Sequence, residues 1–277
     1  MFAASGRLIL GWFARAERGL AMGIRQSAQP LGVAIAAVTL PTLGARRLSA
    51  PLLFLAVFWL VAAAGEQRAA SPYRQPVLWR IHAASALLVV PQFTVATFAL
   101  VFLVDARGWD AVGAGRLLAV AQACGAAGRL GAGCWSDRAG SRMRPMRILA
   151  MTTGIAMLAL AAAAASSSAV AVPVLLACGV VAVSTNGLAF TAVAEYAGSA
   201  WAGRALGVQN TGQNALAAAT PPVLALAIGL VGFGLSFAVV GLFPLAAAAL
   251  VPVSAERRAA AGADVASTVA ASAPDGR

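Results

Sequence analysis

Long apolar blocks dominate this chain, and they limit the folds that it can adopt. Each block runs for roughly 17 to 28 residues before a short polar turn interrupts it. A helix needs about 20 apolar residues to cross the ~30 Å hydrocarbon core of a bilayer, whereas a soluble helix shows polar residues at nearly every turn. Only 10% of the residues are charged, well below the value of about a quarter that is usual in soluble domains. The pattern predicts an all-α, polytopic membrane protein.

Eight full spans are predicted, at about 20–43, 49–65, 77–104, 111–133, 146–166, 169–193, 206–230 and 232–252. The apolar stub from Met1 to Phe13 is too short to cross a bilayer alone. It does not read as a signal peptide, because Arg7 interrupts it and no small-residue cleavage site follows. After the last span, the tail from Ser254 is rich in Ala, Ser and Asp and is expected to be disordered.

All 20 basic residues are arginines, and most lie in the turns between the apolar blocks. With the N-terminus inside, sixteen arginines face the cytoplasm, and only Arg46, Arg47, Arg107 and Arg116 face outward. This bias follows the positive-inside rule and predicts a multi-pass protein of the cell membrane with both termini in the cytoplasm. Because the arginines form no single stripe, the net charge of +11 indicates topology and not nucleic-acid binding.

No residue pattern indicates an enzyme, a cofactor or a metal site. Cys124, Cys134 and Cys178 form no CxxC pair and no Cys/His cluster, so neither a disulfide nor a metal ligand set is expected. The chain contains no HExxH or GxSxG signature and no paired carboxylates inside a span. His82, the only histidine, falls at the end of a span, where a proton-linked role and a plain interfacial role both stay open.

A short internal repeat links two distant parts of the chain. The segment Gly23–Pro30 aligns with Gly207–Asn214 at an offset of 184 residues, and each follows an arginine-containing turn and opens a span. Parallel repeats of this kind occur in many transporters. Chance similarity between helices rich in Ala and Gly is the alternative.

A second pattern lies in the arginine-rich turn between the fourth and fifth predicted spans. Its sequence Gly133-Cys-Trp-Ser-Asp-Arg-Ala-Gly-Ser-Arg142 resembles the loop motif of the major facilitator superfamily, G-x-x-x-D-R/K-x-G-x-R/K. The segment Gly11–Gly23 is similar to that family's loop between helices 4 and 5, and Asp105–Trp109 is similar to its short outer loop after helix 7. In order and spacing, the three matches cover the chain to about residue 252.

Members of that family have twelve helices in two halves of six. The resemblance implies an MFS-type bundle in which 1–65 holds the end of helix 4 with helices 5 and 6, 66–76 is the cytoplasmic linker, and 77–252 holds helices 7–12. The segment 253–277 is then a disordered cytoplasmic tail. Helices 1–3 and most of helix 4 have no counterpart on this mapping, and we expect the reading frame to extend upstream of Met1.

The motif predicts a contact between two helices. Free N–H groups and the helix dipole favour a carboxylate at a helix N-terminus, and pseudo-symmetry assigns Asp137 to the start of helix 5, near Arg18–Gly23. Arg138 and Arg142 are expected to pair with Glu195 at the inner end of helix 10 and to hold the inner face shut. The alternative is a solvated, positive-inside turn with no gating role. The candidate gate residues are Gly133, Asp137, Arg138, Gly140, Arg142 and Glu195.

Polar side chains inside the spans form a second candidate set. Such groups must be satisfied in hydrocarbon, so they point to a cavity or to a partner helix. Arg25 and Gln29 are four residues apart and share one helix face. Either these groups line a solute cavity, or they form interhelical hydrogen bonds without touching solute. The candidate cavity residues are Arg25, Gln26, Gln29, Gln92, Asn186, Asn210, Gln213 and Asn214.

Two functions from different classes follow. The first is a secondary transporter of the major facilitator type, which moves a small organic solute by alternating access and has the lipid bilayer and that solute as partners. The second is a truncated, non-transporting membrane remnant that acts only as a packing or interaction protein. The sequence carries no signal for the oligomeric state, the coupling ion or the identity of the solute.

Overall fold

A computed structural model of the chain describes residue 9 and residues 11–14, 16–25 and 71–257. The predicted span 49–65, most of the span 20–43, and the candidate cavity residues Gln26 and Gln29 lie outside these residues.

The described residues form helices and no strands. Helix α1 covers residues 18–25. A 3-10 turn at Pro72–Arg74 precedes α2, which runs over Pro76–Val101 and continues as a π-helical turn, Phe102–Ala106. Helices α3 and α4 follow at Ala111–Arg138 and Met143–Ala165, and a helical stretch at Ala171–Leu250 leads to a short helical turn at 253–257.

The stretch Ala171–Leu250 is too long for one crossing. Its 80 residues would reach about 120 Å as a straight helix, against the ~30 Å of a bilayer core. The stretch breaks at Gly198 (φ 72°, ψ 167°) and at Gly232 (φ 75°, ψ 175°), in a backbone region that is essentially restricted to glycine. We therefore number its three segments α5 (171–197), α6 (199–231) and α7 (233–250).

The structure supports the predicted fold class. Within the described part of the chain, four continuous helical stretches are long and apolar enough to cross a membrane, with mean hydropathy from 1.2 to 2.5 in their most apolar windows. Large apolar side chains also point outward along the last two helices. Leu226 is 70% exposed and Leu230 is 84% exposed, which suits contact with lipid tails and would be costly in water.

Helix α5 lies at the centre of the packing. Every residue from Ser184 to Ala194 is buried. One apolar core gathers Met22 of α1 with Leu188 of α5 and Met143 of α4. The second core lies toward the other end of the helices and contains the edge-to-face pair Phe102 and Phe237, with ring centroids 5.6 Å apart.

The arginine-rich turn is shorter than the sequence predicts. Helix α3 extends to Arg138, so Asp137 lies in its last helical turn and not in a loop. Gly140 (φ +58°) ends the helix. The N–H groups of Gly140 and Ser141 donate to the carbonyls of Asp137 and Ser136 at 3.2 and 3.3 Å, which is a Schellman ending. The glycine of the motif thus allows the extra turn that carries Asp137.

The segment after α7 also differs from expectation. Disorder was predicted from Ser254 onward, but residues 253–257 form a helical turn. The physical reason is a set of hydrogen bonds from the start of α4 to the carboxylate of Glu256. The composition of the tail predicts disorder, and it gives no sign that these hydrogen bonds hold the side chain of Glu256.

We predict that Gly232→Ala lowers the stability of the protein by about 1–3 kcal/mol, the cost of forcing a side chain into this backbone region. The measurement is thermal or denaturant unfolding in detergent. Gly229→Ala is the matched control, because a Cβ at Gly229 meets nothing within 4 Å and alanine favours a helix. Equal stability of the two variants would contradict the assignment of a helix break at Gly232.

Candidate functional site

Asp137 caps the N-terminus of α1. Its Oδ1 accepts a hydrogen bond from the Gly19 N–H at 3.0 Å, and its Oδ2 accepts one from the Leu20 N–H at 2.9 Å. These N–H groups belong to the first turn of α1, where no backbone carbonyl of the same helix can accept from them. The carboxylate satisfies both donors and lies at the positive end of the helix dipole.

Two glycines make this approach possible. A Cβ on Gly133 would lie 2.5 Å from the Gly19 carbonyl oxygen, and a Cβ on Gly19 would lie 2.6 Å from Asp137 Oδ1. Gly133 and Asp137 are four residues apart, so they share one face of α3. The spacing G-x-x-x-D therefore combines a flat contact surface with the carboxylate that caps the neighbouring helix.

Arg142 joins this cap to α5. Its Nη1 donates to Asp137 Oδ1 at 2.5 Å and to Ser136 Oγ at 2.9 Å. Its Nη2 and Nε donate to the two carboxylate oxygens of Glu195 at 3.2 and 3.4 Å. We call Asp137, Arg142, Glu195 and the N–H groups of Gly19 and Leu20 the Asp137 network.

The Asp137 network is largely closed to solvent. The side chains of Arg142 and Asp137 are 6% and 8% exposed, and that of Glu195 is 14% exposed. Burial alone lowers the pKa of Arg142, but the charge and hydrogen bonds of Glu195, followed by those of Asp137, raise this pKa above its ordinary value. Arg142 therefore stays cationic at physiological pH, and removing one of its partners would leave a buried charge poorly compensated.

The structure confirms the predicted contact between Asp137 and the start of α1. It also shows the expected pairing with Glu195, although only Arg142 takes part, while Arg138 is exposed. Sequence reasoning missed Ser136. Its position one turn from Gly133 and Gly140 gave no signal that its hydroxyl would accept from Arg142.

Of the candidate cavity residues, Gln92 and Asn186 are brought together. Asn186 Nδ2 donates to Gln92 Oε1 at 2.7 Å and so ties α5 to α2. Gln92 also lines a cavity of ≈ 80 Å³ between α2, α3 and α5, together with Gln122 of α3. That volume is below the roughly 300–1,000 Å³ of most ligand pockets, so this cavity alone does not enclose a whole organic solute.

The amides of α6 fall into two groups. Gln213 is buried, and its Nε2 donates to Ser85 Oγ of α2 at 2.6 Å. Asn214 is exposed and Asn210 is half-buried, and with Thr211 they follow one face of the helix at spacings of three and four residues. The structure thus directs Gln213 inward to α2 and leaves Asn214 exposed, while the half-buried Asn210 lies between these two directions.

Arg25 lies at the described end of α1. Its guanidinium carbon stands 5.6 Å from the centre of the Phe190 ring, and its Nη1 lies 3.0 Å from the sulfur of Met22. The cation therefore faces α5, where the aromatic ring face attracts it.

His82 belongs to a polar chain that sequence reasoning identified only in part. His82 Nδ1 lies 2.9 Å from Gln209 Oε1 on α6, and its Nε2 lies 3.1 Å from the hydroxyl of Tyr73. Burial raises the pKa of the Tyr73 phenol, so that hydroxyl keeps its proton at physiological pH. The pair His82 and Gln209 and the pair Ser85 and Gln213 form two successive side-chain hydrogen bonds between α2 and α6. We call these two hydrogen bonds the rungs. No group of three or more metal-ligating side chains occurs among the described residues.

Comparisons with known proteins agree with the motif. The family model of the Major Facilitator Superfamily matches residues 1–221. Two curated relatives are uncharacterized MFS-type transporters of Mycobacterium tuberculosis, 47% identical over 268 residues in strain H37Rv and 46% identical over 268 residues in strain CDC 1551. Each alignment covers 90% of this chain but 60% of the relative, so the chain spans well under two thirds of the length of these proteins.

A solved structure gives the same fold. The chain is similar to the crystal structure of a bacterial homologue of the iron transporter ferroportin in its outward-facing state. The TM-score is 0.52 at 17% identity, and the match covers 87% of this chain and 64% of that one. At this identity the likeness bears on the fold alone.

We predict that Gly133→Ala weakens the contact between α3 and α1. The added methyl group would press on the backbone of Gly19, and overpacking of this kind costs about 1–3 kcal/mol. The measurement is hydrogen–deuterium exchange of residues 18–25, which should become faster. Gly131→Ala, on the same helix with nothing within 4 Å of its Cβ, is the control and should leave the exchange unchanged. Equal protection in both variants would show that α1 does not depend on this close approach.

Proposed function

The chain belongs to the major facilitator superfamily, and we propose that it moves a small organic solute across the cell membrane by alternating access. The observation that carries this proposal is the Asp137 network, which joins α1, from one end of the chain, to the helices α3 and α5. We propose that the network lies at the cytoplasmic face and holds that face shut.

The chemistry of the network suits a gate that opens and closes. The α1 cap consists of two hydrogen bonds to one carboxylate, and a helix cap is worth about 0.5–2 kcal/mol. That energy is large enough to bias two conformations by a factor of about 2 to 30 and small enough to be reversed when a solute binds. Interactions that bias discrete states in this way are typical of switching proteins.

The polar face of α6 supports a solute path. Asn210, Thr211 and Asn214 lie in a helix that is otherwise mostly apolar, and amides are costly when they face lipid. We propose that this face, with Gln92 and Gln122 near the small cavity, contacts the solute. The comparisons do not favour the alternative of a packing remnant, because the relatives are transporters by family.

Transport is tested with purified chain in proteoliposomes. Vesicles are incubated with a bacterial metabolite extract, washed, and their contents compared by mass spectrometry with protein-free vesicles. We expect at least one small organic solute to be enriched in the vesicles that contain protein, and Asp137→Asn to reduce that enrichment. Contents that match those of empty vesicles for every solute would contradict transport by this chain.

The gate is tested by thiol labelling from one side of the membrane. In a background without Cys124, Cys134 and Cys178, an Asn214→Cys reporter on the exposed face of α6 is treated with an impermeant maleimide at the cytoplasmic side. Asp137→Asn removes the charge that caps α1, so we expect labelling to become faster, by a factor of about 2 to 30. The matched control is Arg147→Gln, which removes one charge at an exposed side chain of α4. Equal labelling in the two variants would contradict a gate at Asp137.

A further inference from the structure

The N-terminus of helix α4 is capped only in part by residues next to it in sequence. Its N-cap residue is Arg142, whose side chain makes no capping hydrogen bond. A helix start leaves several backbone N–H groups without partners in the same helix, and at a membrane face these groups need acceptors. Pro145 in the first turn removes one donor, since proline has no N–H.

Glu256 supplies the missing acceptors from the turn after α7. Its carboxylate accepts from the Arg142 N–H at 2.7 Å, from the Met143 N–H at 3.3 Å, and from the hydroxyl of Ser141. Ser141 Oγ in turn accepts from the Arg144 N–H at 3.1 Å. Each backbone N–H group at the start of α4 thereby has an acceptor. Most of these acceptors are oxygens of Glu256, which lies 114 residues from Arg142 in the sequence.

Arg142 binds three carboxylates. Its backbone N–H binds Glu256, while its guanidinium binds Asp137 and Glu195. A guanidinium group is planar and rigid, so its hydrogen bonds depend strongly on the position of the backbone that carries it. Because Glu256 holds the Arg142 backbone in place, the guanidinium group can bind Asp137 and Glu195 at the same time.

We propose that Glu256 is a positioning residue for the gate, and that the turn 253–257 couples the end of α7 to the opening of the cytoplasmic face. This inference rests on the proposed function, since it gives the Asp137 network a further element. Movement of the end of α7 displaces Glu256, releases the Arg142 backbone, and weakens the hold of Arg142 on Asp137. Glu256 acts through Arg142 and makes no described contact with α1.

The test is hydrogen–deuterium exchange on the purified chain in nanodiscs, followed separately at residues 143–147 and 18–25. Glu256→Ala removes the carboxylate that caps α4, so exchange at 143–147 should rise about fivefold, the factor that corresponds to a lost cap of about 1 kcal/mol. The same variant should also raise exchange at 18–25, a segment that Glu256 does not touch. Glu256→Gln keeps one acceptor oxygen and should give a smaller change at both segments. The control Arg257→Gln, at the exposed neighbour, should change neither.

A double variant separates a coupled role from a local one. If Glu256 acts through the bond from Arg142 to Asp137, Glu256→Ala should add nothing at 18–25 in a chain that already carries Asp137→Asn, because residues in one network are not additive. Faster exchange at 143–147 alone would overturn the proposal and leave Glu256 as a local cap. If instead Asp137→Asn itself leaves 18–25 unchanged, the gate of the proposed function fails, and that result is distinct from a failure of Glu256 alone.

Discussion

The rest of this structure depends on one kind of interaction, in which a carboxylate caps the N-terminus of a different helix. The start of α1 and the start of α4 both expose N–H groups that need acceptors, and each receives a carboxylate from a distant part of the chain, Asp137 in one case and Glu256 in the other. Capping in trans differs from capping by a neighbouring residue because it joins separate helices. The cap that completes a helix is then also a contact that a rigid-body movement can break.

Arg142 makes the two caps interdependent. A lone buried guanidinium would be costly, yet here it is surrounded by Asp137 and Glu195 while its own N–H is held by Glu256. If one of these groups leaves, its partner stays unsatisfied at a site that is largely closed to solvent. Such a cluster favours two discrete arrangements, fully formed or fully released, over a continuous range.

The sequence was sufficient for those features that depend on local patterns. Block length predicted the helices and the membrane. The resemblance of the segment Gly133–Arg142 to the family's loop motif, with the pseudo-symmetry that it implies, predicted a contact between Asp137 and the start of α1. The sequence alone did not predict contacts that form only once the helices have packed together. The carboxylate of Glu256 meets Arg142 only after α7 has packed beside α4, and nothing near Glu256 in sequence marks it as a cap. The pairs of Gln92 with Asn186 and of Gln213 with Ser85 likewise join residues about a hundred positions apart.

Under the proposed alternating access, the distribution of polar groups suggests which helix contacts change and which persist. The rungs from His82 to Gln209 and from Ser85 to Gln213 bind α2 to α6 in the interior, where an unmade hydrogen bond would have no water to replace it. Asn214 faces away from those rungs, and the Asp137 network lies at the boundary with α1. If helices α2 to α6 move as one body, the contacts that change are those at this boundary and the contact of Arg142 with Glu256 after α7. On the proposed function, solute would then meet the exposed polar face of α6, while the hydrogen bonds between α2 and α6 would persist in both proposed conformations.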